Sequence, residues 1–203
     1  MKKWMARLAA ALLCCCAATA AAEVKFDISV FENNPDYKVE FDEMDDTGTI
    51  ESSEDNAVAG KVEDDDCLIL GSVDIKIVED LPPIMRICLS YVGEDWIFTD
   101  KVILKPADKR YAFEVKRDTD VSNGNIIESF ALVLTDESIQ MVKDMIDSDN
   151  FIVKMRLDGD RKVDGSLIFD REKLTQMYND YVVSGALEND FSLVKTVFPC
   201  VIK

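Results

Sequence analysis

The sequence predicts a β-rich α+β fold, an antiparallel sandwich or curled sheet with two helices in its C-terminal half, at about 136–147 and 171–184. Three observations predict it. Apolar and polar residues alternate through most of the chain up to Leu134, which is the period of half-buried strands. Candidate strands follow one another without intervening helices, which favours α+β over a doubly wound parallel sheet. After Thr135 the apolar spacing changes to a helical one.

Val24, Phe26, Ile28 and Val30 alternate with Lys25, Asp27 and Ser29, so Val24–Phe31 reads as a strand. The turn residues Asn33-Asn34-Pro35-Asp36 follow, and Tyr37, Val39 and Phe41 alternate again, which predicts a hairpin. Residues 42–56 (DEMDDTGTIESSEDN) are acidic and poor in apolar side chains, and read as an exposed loop. Ala57–Val62 is a weak strand. Cys67–Leu70 and Val73–Val78 read as strands separated at Gly71, and Pro82-Pro83 ends the run.

Ile84–Leu104 is the apolar spine, broken only by Gly93-Glu94-Asp95 and carrying Trp96. Ile84–Tyr91 reads as a strand and Trp96–Leu104 as its extended continuation. Tyr111, Phe113 and Val115 alternate, Asp118–Gly124 reads as a polar loop, and Ile126–Leu134 as another strand. Thr135-Asp136-Glu137 then opens a helix with acids in its first turn. Ile139, Val142, Met145 and Ile146 form its apolar stripe.

Phe151–Leu157 and Val163–Phe169 predict a second hairpin around Asp158-Gly159. Asp170 caps a second helix whose stripe is Leu174, Met177, Tyr178, Tyr181 and Val182. Gly185 stands where a left-handed C-terminal cap belongs. Phe191–Ile202 reads as a final strand, with Pro199 placing its end at an edge.

The N-terminus carries Lys2, Lys3 and Arg7, an apolar run from Leu8 to Ala18, and Ala20-Ala21-Ala22. This is the pattern of a secretory signal peptide cleaved near Ala22. The apolar run is shorter than the ~20 residues a spanning helix needs. Leu13 before Cys14 is a poor lipid-attachment context. The expectation is a periplasmic or secreted protein without lipid anchor or integral membrane segment, residues 23–203 forming one domain. Cleavage would take the net charge from −17 to −20.

That charge disfavours nucleic acid and anionic lipid, and favours a basic protein partner. The cysteines outside the signal segment are Cys67, Cys88 and Cys200. Cys67–Cys88 is the disulfide candidate, with a loop contribution of about 3 kcal/mol in the chain-entropy model; the alternative is three buried thiols.

The chain has no histidine, which removes histidine-based triads, histidine-ligated zinc and a histidine general base. No Gly-rich phosphate loop is present, and no Cys-x-x-Cys pair follows the signal segment. Set against a calcium loop, Glu43, Asp45, Thr47, Glu51 and Glu54 fall at ligand positions, with Gly48 at the sharp turn. Asp118/Asp120 and Asp158/Asp160 match less well and read as turns.

Glu94 and Asp95 beside Trp96 are the binding candidates, since acids next to an aromatic suit a sugar ring. A glycosidase would need two carboxyls about 5–10 Å apart across a cleft. Glu128 interrupts an apolar strand and would be a site candidate if buried. The functional expectation is an exported, non-catalytic envelope interaction or accessory module, needing no cofactor. The alternatives are a carboxylate-dependent glycan hydrolase and a calcium-binding module.

Overall fold

The computed structural model describes residues 24–53, 58–62, 67–148 and 151–202. Residues 1–23, where a signal peptide is expected, Glu54 and the acidic stretch 63–66 lie outside the described residues. The fold is strand-rich α+β with two antiparallel sheets, as the alternation predicts. Among the described residues no helix is long and apolar enough to cross a membrane.

The elements in order are α1 (Ser29–Glu32), β1 (Tyr37–Asp42), β2 (Thr47–Ser52), β3 (Val58–Val62), β4 (Leu68–Val78), β5 (Ile84–Gly93) and β6 (Lys101–Lys105). Then come β7 (Tyr111–Glu114), β8 (Arg117–Ser122), β9 (Asn125–Val133), α2 (Gln140–Ile146), β10 (Ile152–Asp158) and β11 (Lys162–Ile168). The chain closes with α3 (Arg171–Val183), α4 (Ser192–Val197) and β12 (Cys200–Ile202).

All strand pairs are antiparallel, and β4 is the divide. Its first half pairs with β3, Val58 opposite Gly71 and Gly60 opposite Ile69. Its second half pairs on the same edge with β2, Thr47 opposite Val78 and Glu51 opposite Asp74. From β3 one sheet runs through β11, β10, β6 and β7 to β12; the other holds β1, β2, β5, β9 and β8. Inward residues of both sheets meet in one core: Ile50, Ile75, Ile87, Leu89 and Phe130 from one, Val102, Leu104, Phe113, Val153 and Leu167 from the other. Met141, Val142 and Met145 of α2 and Leu174, Met177 and Tyr181 of α3 join it.

α3 matches its expected bounds and caps closely, although Val182 of the expected stripe is exposed. The Asp170 carboxylate accepts from the Lys173 N–H at 3.1 Å, and Gly185 at φ +82° closes the C-terminus. α2 is shorter than expected: residues 136–139 form a turn before Gln140, although Ile139, Val142 and Met145 are buried as the stripe requires.

Several expectations are corrected. Val24–Phe31 is not a strand. The Asp27 carboxylate accepts from the Ser29 N–H and Oγ, opening α1. Two further N–H groups of the segment bond to residues that follow α3: Asp27 N–H to the Ser184 carbonyl, and Lys25 N–H to the Asn189 side chain. Local side-chain acceptors outcompete the sheet here.

The first hairpin is therefore β1–β2, and it takes β2 from the segment expected as an acidic loop. Gly71 does not break β4. Asp118–Gly124 is mostly strand β8, wholly exposed at the sheet edge, with Asn123 (φ +54°) and Gly124 (φ +84°) forming the two-residue turn into β9. Half of Phe191–Ile202 is the helix α4. The Asp190 carboxylate accepts from the Ser192 N–H at 2.9 Å, and Phe191, Val194 and Phe198 pack on Ile84 and Val133 on the outer face of β5 and β9. Only Cys200–Ile202 forms the expected edge strand.

The Cys67–Cys88 bridge is not compatible with the strand register. Cys88 stands opposite Ser72, five residues along β4 from Cys67, which is about 17 Å; a disulfide needs Cα atoms within about 7 Å. Cys88 Sγ instead points its hydrogen at the Asp74 carboxylate, 3.5 Å away. That carboxylate is already held by the cross-strand Arg86 through two bonds of 2.8 and 2.6 Å.

Burial, reinforced by Asp74, pushes the Cys88 thiol up to about 12, and burial does the same for Cys200. At pH 8 only about 10⁻⁴ of such a thiol is thiolate, the reactive form. We expect Cys88 and Cys200 to resist a maleimide in the native protein at pH 8 and to react once it is unfolded in denaturant, as read by mass spectrometry of labelled peptides.

Candidate functional sites on the two sheets

The segment between β5 and β6, residues 94–100, carries the chain from one sheet to the other. Its backbone is organised by Glu128. Alternation along β9 turns Glu128 inward with Ile126, Phe130 and Leu132, and the side chain is fully buried. Its carboxylate accepts three successive backbone N–H groups, from Ile97 and Phe98 at 2.7 Å each and from Thr99 at 2.9 Å. Three converging amides make a nest for an anion. The protein fills it with its own carboxylate.

Phe98 has φ +54°, a conformation that bulky residues adopt rarely, at a cost of order 1–3 kcal/mol. The bonds to Glu128 hold it there. Phe98 is consequently turned outward, stacked on Trp96 at 5.4 Å and 12°, with the Arg117 guanidinium 5.2 Å from its centroid. Arg117 also donates to the Phe98 and Thr99 carbonyls.

The turn between β10 and β11 locks the segment from the other sheet. Asp160 N–H donates to the Ile97 carbonyl at 2.8 Å. Gly159 is pressed so close that a Cβ would lie 2.5 Å from the Ile97 and Phe98 carbonyl oxygens. Arg161 donates to the Tyr91 hydroxyl at 2.7 Å and to the Asp95 carbonyl at 3.2 Å. Two buried polar atoms here lack a hydrogen-bond partner, Thr99 Oγ1 and Arg161 Nε.

The sequence candidates Glu94, Asp95 and Trp96 are thus neighbours on one bend rather than two acids facing across a cleft. Asp95 is 80% exposed, 3.6 Å from Arg161. The Trp96 ring is stacked on Phe98.

The calcium candidates are spread along the β1–β2 hairpin. Glu43 and Asp45 lie in its turn, while Thr47 and Glu51 are four residues apart on one strand, about 13 Å. They cannot share an ion bound at 2.3–2.6 Å. Lys76 brings a cation of the protein's own, its ammonium donating to Thr47 Oγ1 at 2.9 Å. Among the described residues no group of three or more acids and cysteines is placed to hold a metal.

A third surface is absent from the sequence reading. The outer face of β6, β10 and β11 forms an open trough of about 580 Å³. Pairing sets Lys105 directly opposite Lys154, and Ile103 opposite Arg156. Arg110 precedes Tyr111, the partner of Leu104, and so lies alongside Lys105. Ile103 and Ile152, the latter 55% exposed, give the trough its apolar floor.

Arg156 is spent on Asp164 through two bonds, which hold that carboxyl below its usual range. Among the described residues the side chains of Lys105, Lys154 and Arg110 have no ion pair or hydrogen bond. Like charges directly opposite on paired strands are destabilising. The alternation that put Lys154 and Arg156 on one face was legible; the pairing that brought Lys105 and Arg110 beside them was not.

Compared with known proteins, the chain matches no family model, no curated protein and no solved structure.

Removing the Glu128 side chain strands three inward N–H groups. Bonds to a charged group contribute about 1.5–3 kcal/mol each, though not additively. We expect Glu128→Ala to lose about 3–5 kcal/mol and Glu128→Gln, which keeps one acceptor, about 1–3, with melting temperatures falling about 2–4 °C per kcal/mol. Gly159→Ala, which drives a methyl into two carbonyls, should cost about 1–3 kcal/mol by the same thermal measurement.

Proposed function

We propose that the protein is an exported, non-catalytic interaction module that holds an acidic, partly apolar protein segment in the trough on β6, β10 and β11. One observation carries this reading. In a chain with 40 acids and 23 bases, the side chains of Arg110, Lys105 and Lys154 converge over an isoleucine floor without a partner among the described residues. Surplus acids would be expected to neutralise such a cluster, and a like-charged cross-strand pair gains nothing within the monomer.

Local charge, not net charge, is what supports an acidic ligand. At physiological ionic strength charges beyond about 8 Å are largely screened, so the trough can attract carboxylates although the whole surface is negative. A polyphosphate chain offers no apolar group to the isoleucine floor. A short peptide brings few charges and apolar side chains for Ile103 and Ile152. Export rests on the Met1–Ala22 segment.

The test is fluorescence anisotropy with two labelled peptides of equal length, one alternating Glu/Asp with Met/Leu, the other with Lys replacing the acids. The acidic peptide should bind, and K105E/K154E should weaken it roughly tenfold or more, since each exposed contact contributes up to about 1 kcal/mol. Tighter binding of the basic peptide, or indifference of the acidic one to K105E/K154E, would sink the reading in favour of a basic partner.

A further inference from the structure

The chain itself carries a segment of the chemistry this trough fits. At the tip of the β1–β2 hairpin stand Asp42, Glu43, Asp45 and Asp46, with Met44 at their centre, 91% exposed. Phe41 below them is 56% exposed, its ring lying over Gly48, where a Cβ would come within 2.8 Å of it. An exposed methionine ringed by four carboxylates is the complement, in charge and in polarity, of an isoleucine floor rimmed by unpaired cations.

The tip is a built knob. The Asp42 carboxylate accepts from the Met44 N–H at 2.9 Å, Asp46 takes a left-handed turn at φ +51°, and its carbonyl accepts from the Glu79 N–H. Six consecutive pairs join β1 to β2, and five join β2 to β4. The tip is thereby fixed at the Val78 end of β4. The path to the trough leaves β4 through β3 at its other half, around Ile69–Gly71. A knob anchored so cannot fold into the trough of its own chain.

We infer that the trough receives the acidic hairpin tip of a second copy of this chain. The inference rests on the reading of the trough as a site for acidic segments and names its occupant. Met44 would meet Ile103 and Ile152 while the surrounding carboxylates reach Lys105, Lys154 and Arg110. Knob and trough share no residue. Association therefore closes as a two-fold pair with two reciprocal contacts, or propagates head to tail.

Sedimentation velocity of the purified protein at about 0.1 M salt, where the Debye length is about 10 Å, tests this over a concentration series. Association should appear in the wild type. E43K/D45K and K105E/K154E should each weaken it roughly tenfold or more, reversing paired charges of opposite sign. Mixing the two variants should restore it, because the lysine-bearing tip then meets the glutamate-bearing trough while the unaltered tip meets the unaltered trough. All four variant side chains are on exposed turn or outer-face positions, and circular dichroism checks folding.

A wild type that stays monomeric, or association that both variants leave unchanged, overturns the inference. If the wild type is monomeric yet binds the acidic peptide through Lys105 and Lys154, the trough stands and only its occupant is wrong. If neither peptide nor second copy engages the trough, both readings fall.

Discussion

The Glu128 carboxylate and the three amides it receives fix how the two sheets meet. The crossing from β5 to β6 must leave one ladder before it joins the next, so its backbone donors have no strand to bond to. Unpaired, each would cost about 1–3 kcal/mol in a buried setting. A single inward acid on β9 satisfies three of them. From the other sheet, Asp160 and Gly159 close on the same carbonyls. The direction in which β6 sets out, and hence the side-by-side placement of Lys105 and Lys154, follows from that clamp.

The burial of Glu128 is also why its neighbourhood could not be read from the chain alone. The spacing Ile126, Glu128, Phe130, Leu132 places the acid on the inward face, but nothing local names amides thirty residues away as its partners. Trp96 was legible as a landmark, but its stacking partner was not, because Phe98 faces outward only through a left-handed backbone that no propensity announces. Where periodicity was long and capped, as in α3 with Asp170 and Gly185, sequence and structure agree closely.

The misread elements share a cause. Val24–Phe31 contains, and Phe191–Ile202 directly follows, an aspartate whose carboxylate captures the N–H two residues on, Asp27 for Ser29 and Asp190 for Ser192. Each turn starts a short helix inside a segment whose apolar residues also suit a strand. Periodicity over so few residues does not separate the two. β8 erred in the opposite direction. As an exposed edge it has no apolar alternation to betray it, and charge is what keeps such an edge from pairing with other chains. The Asn123-Gly124 pair was its only signature.

Net charge averages over surfaces that pairing separates. Asp74 and Arg86 cancel across β4 and β5, and Arg156 and Asp164 across β10 and β11, since register makes them neighbours. The same register leaves Lys105 against Lys154 with no acid between them, and gathers five residues of the hairpin tip into a knob with four carboxylates and one methionine. A folded monomer could relieve either concentration of charge by exchanging a side chain on an exposed position, at little cost to its core. Neither is relieved, and each bears exposed apolar surface that water does not favour. Two surfaces of opposite sign, each held by antiparallel pairing, are complementary in charge and polarity, and that complementarity is the physical basis for looking to contact between molecules.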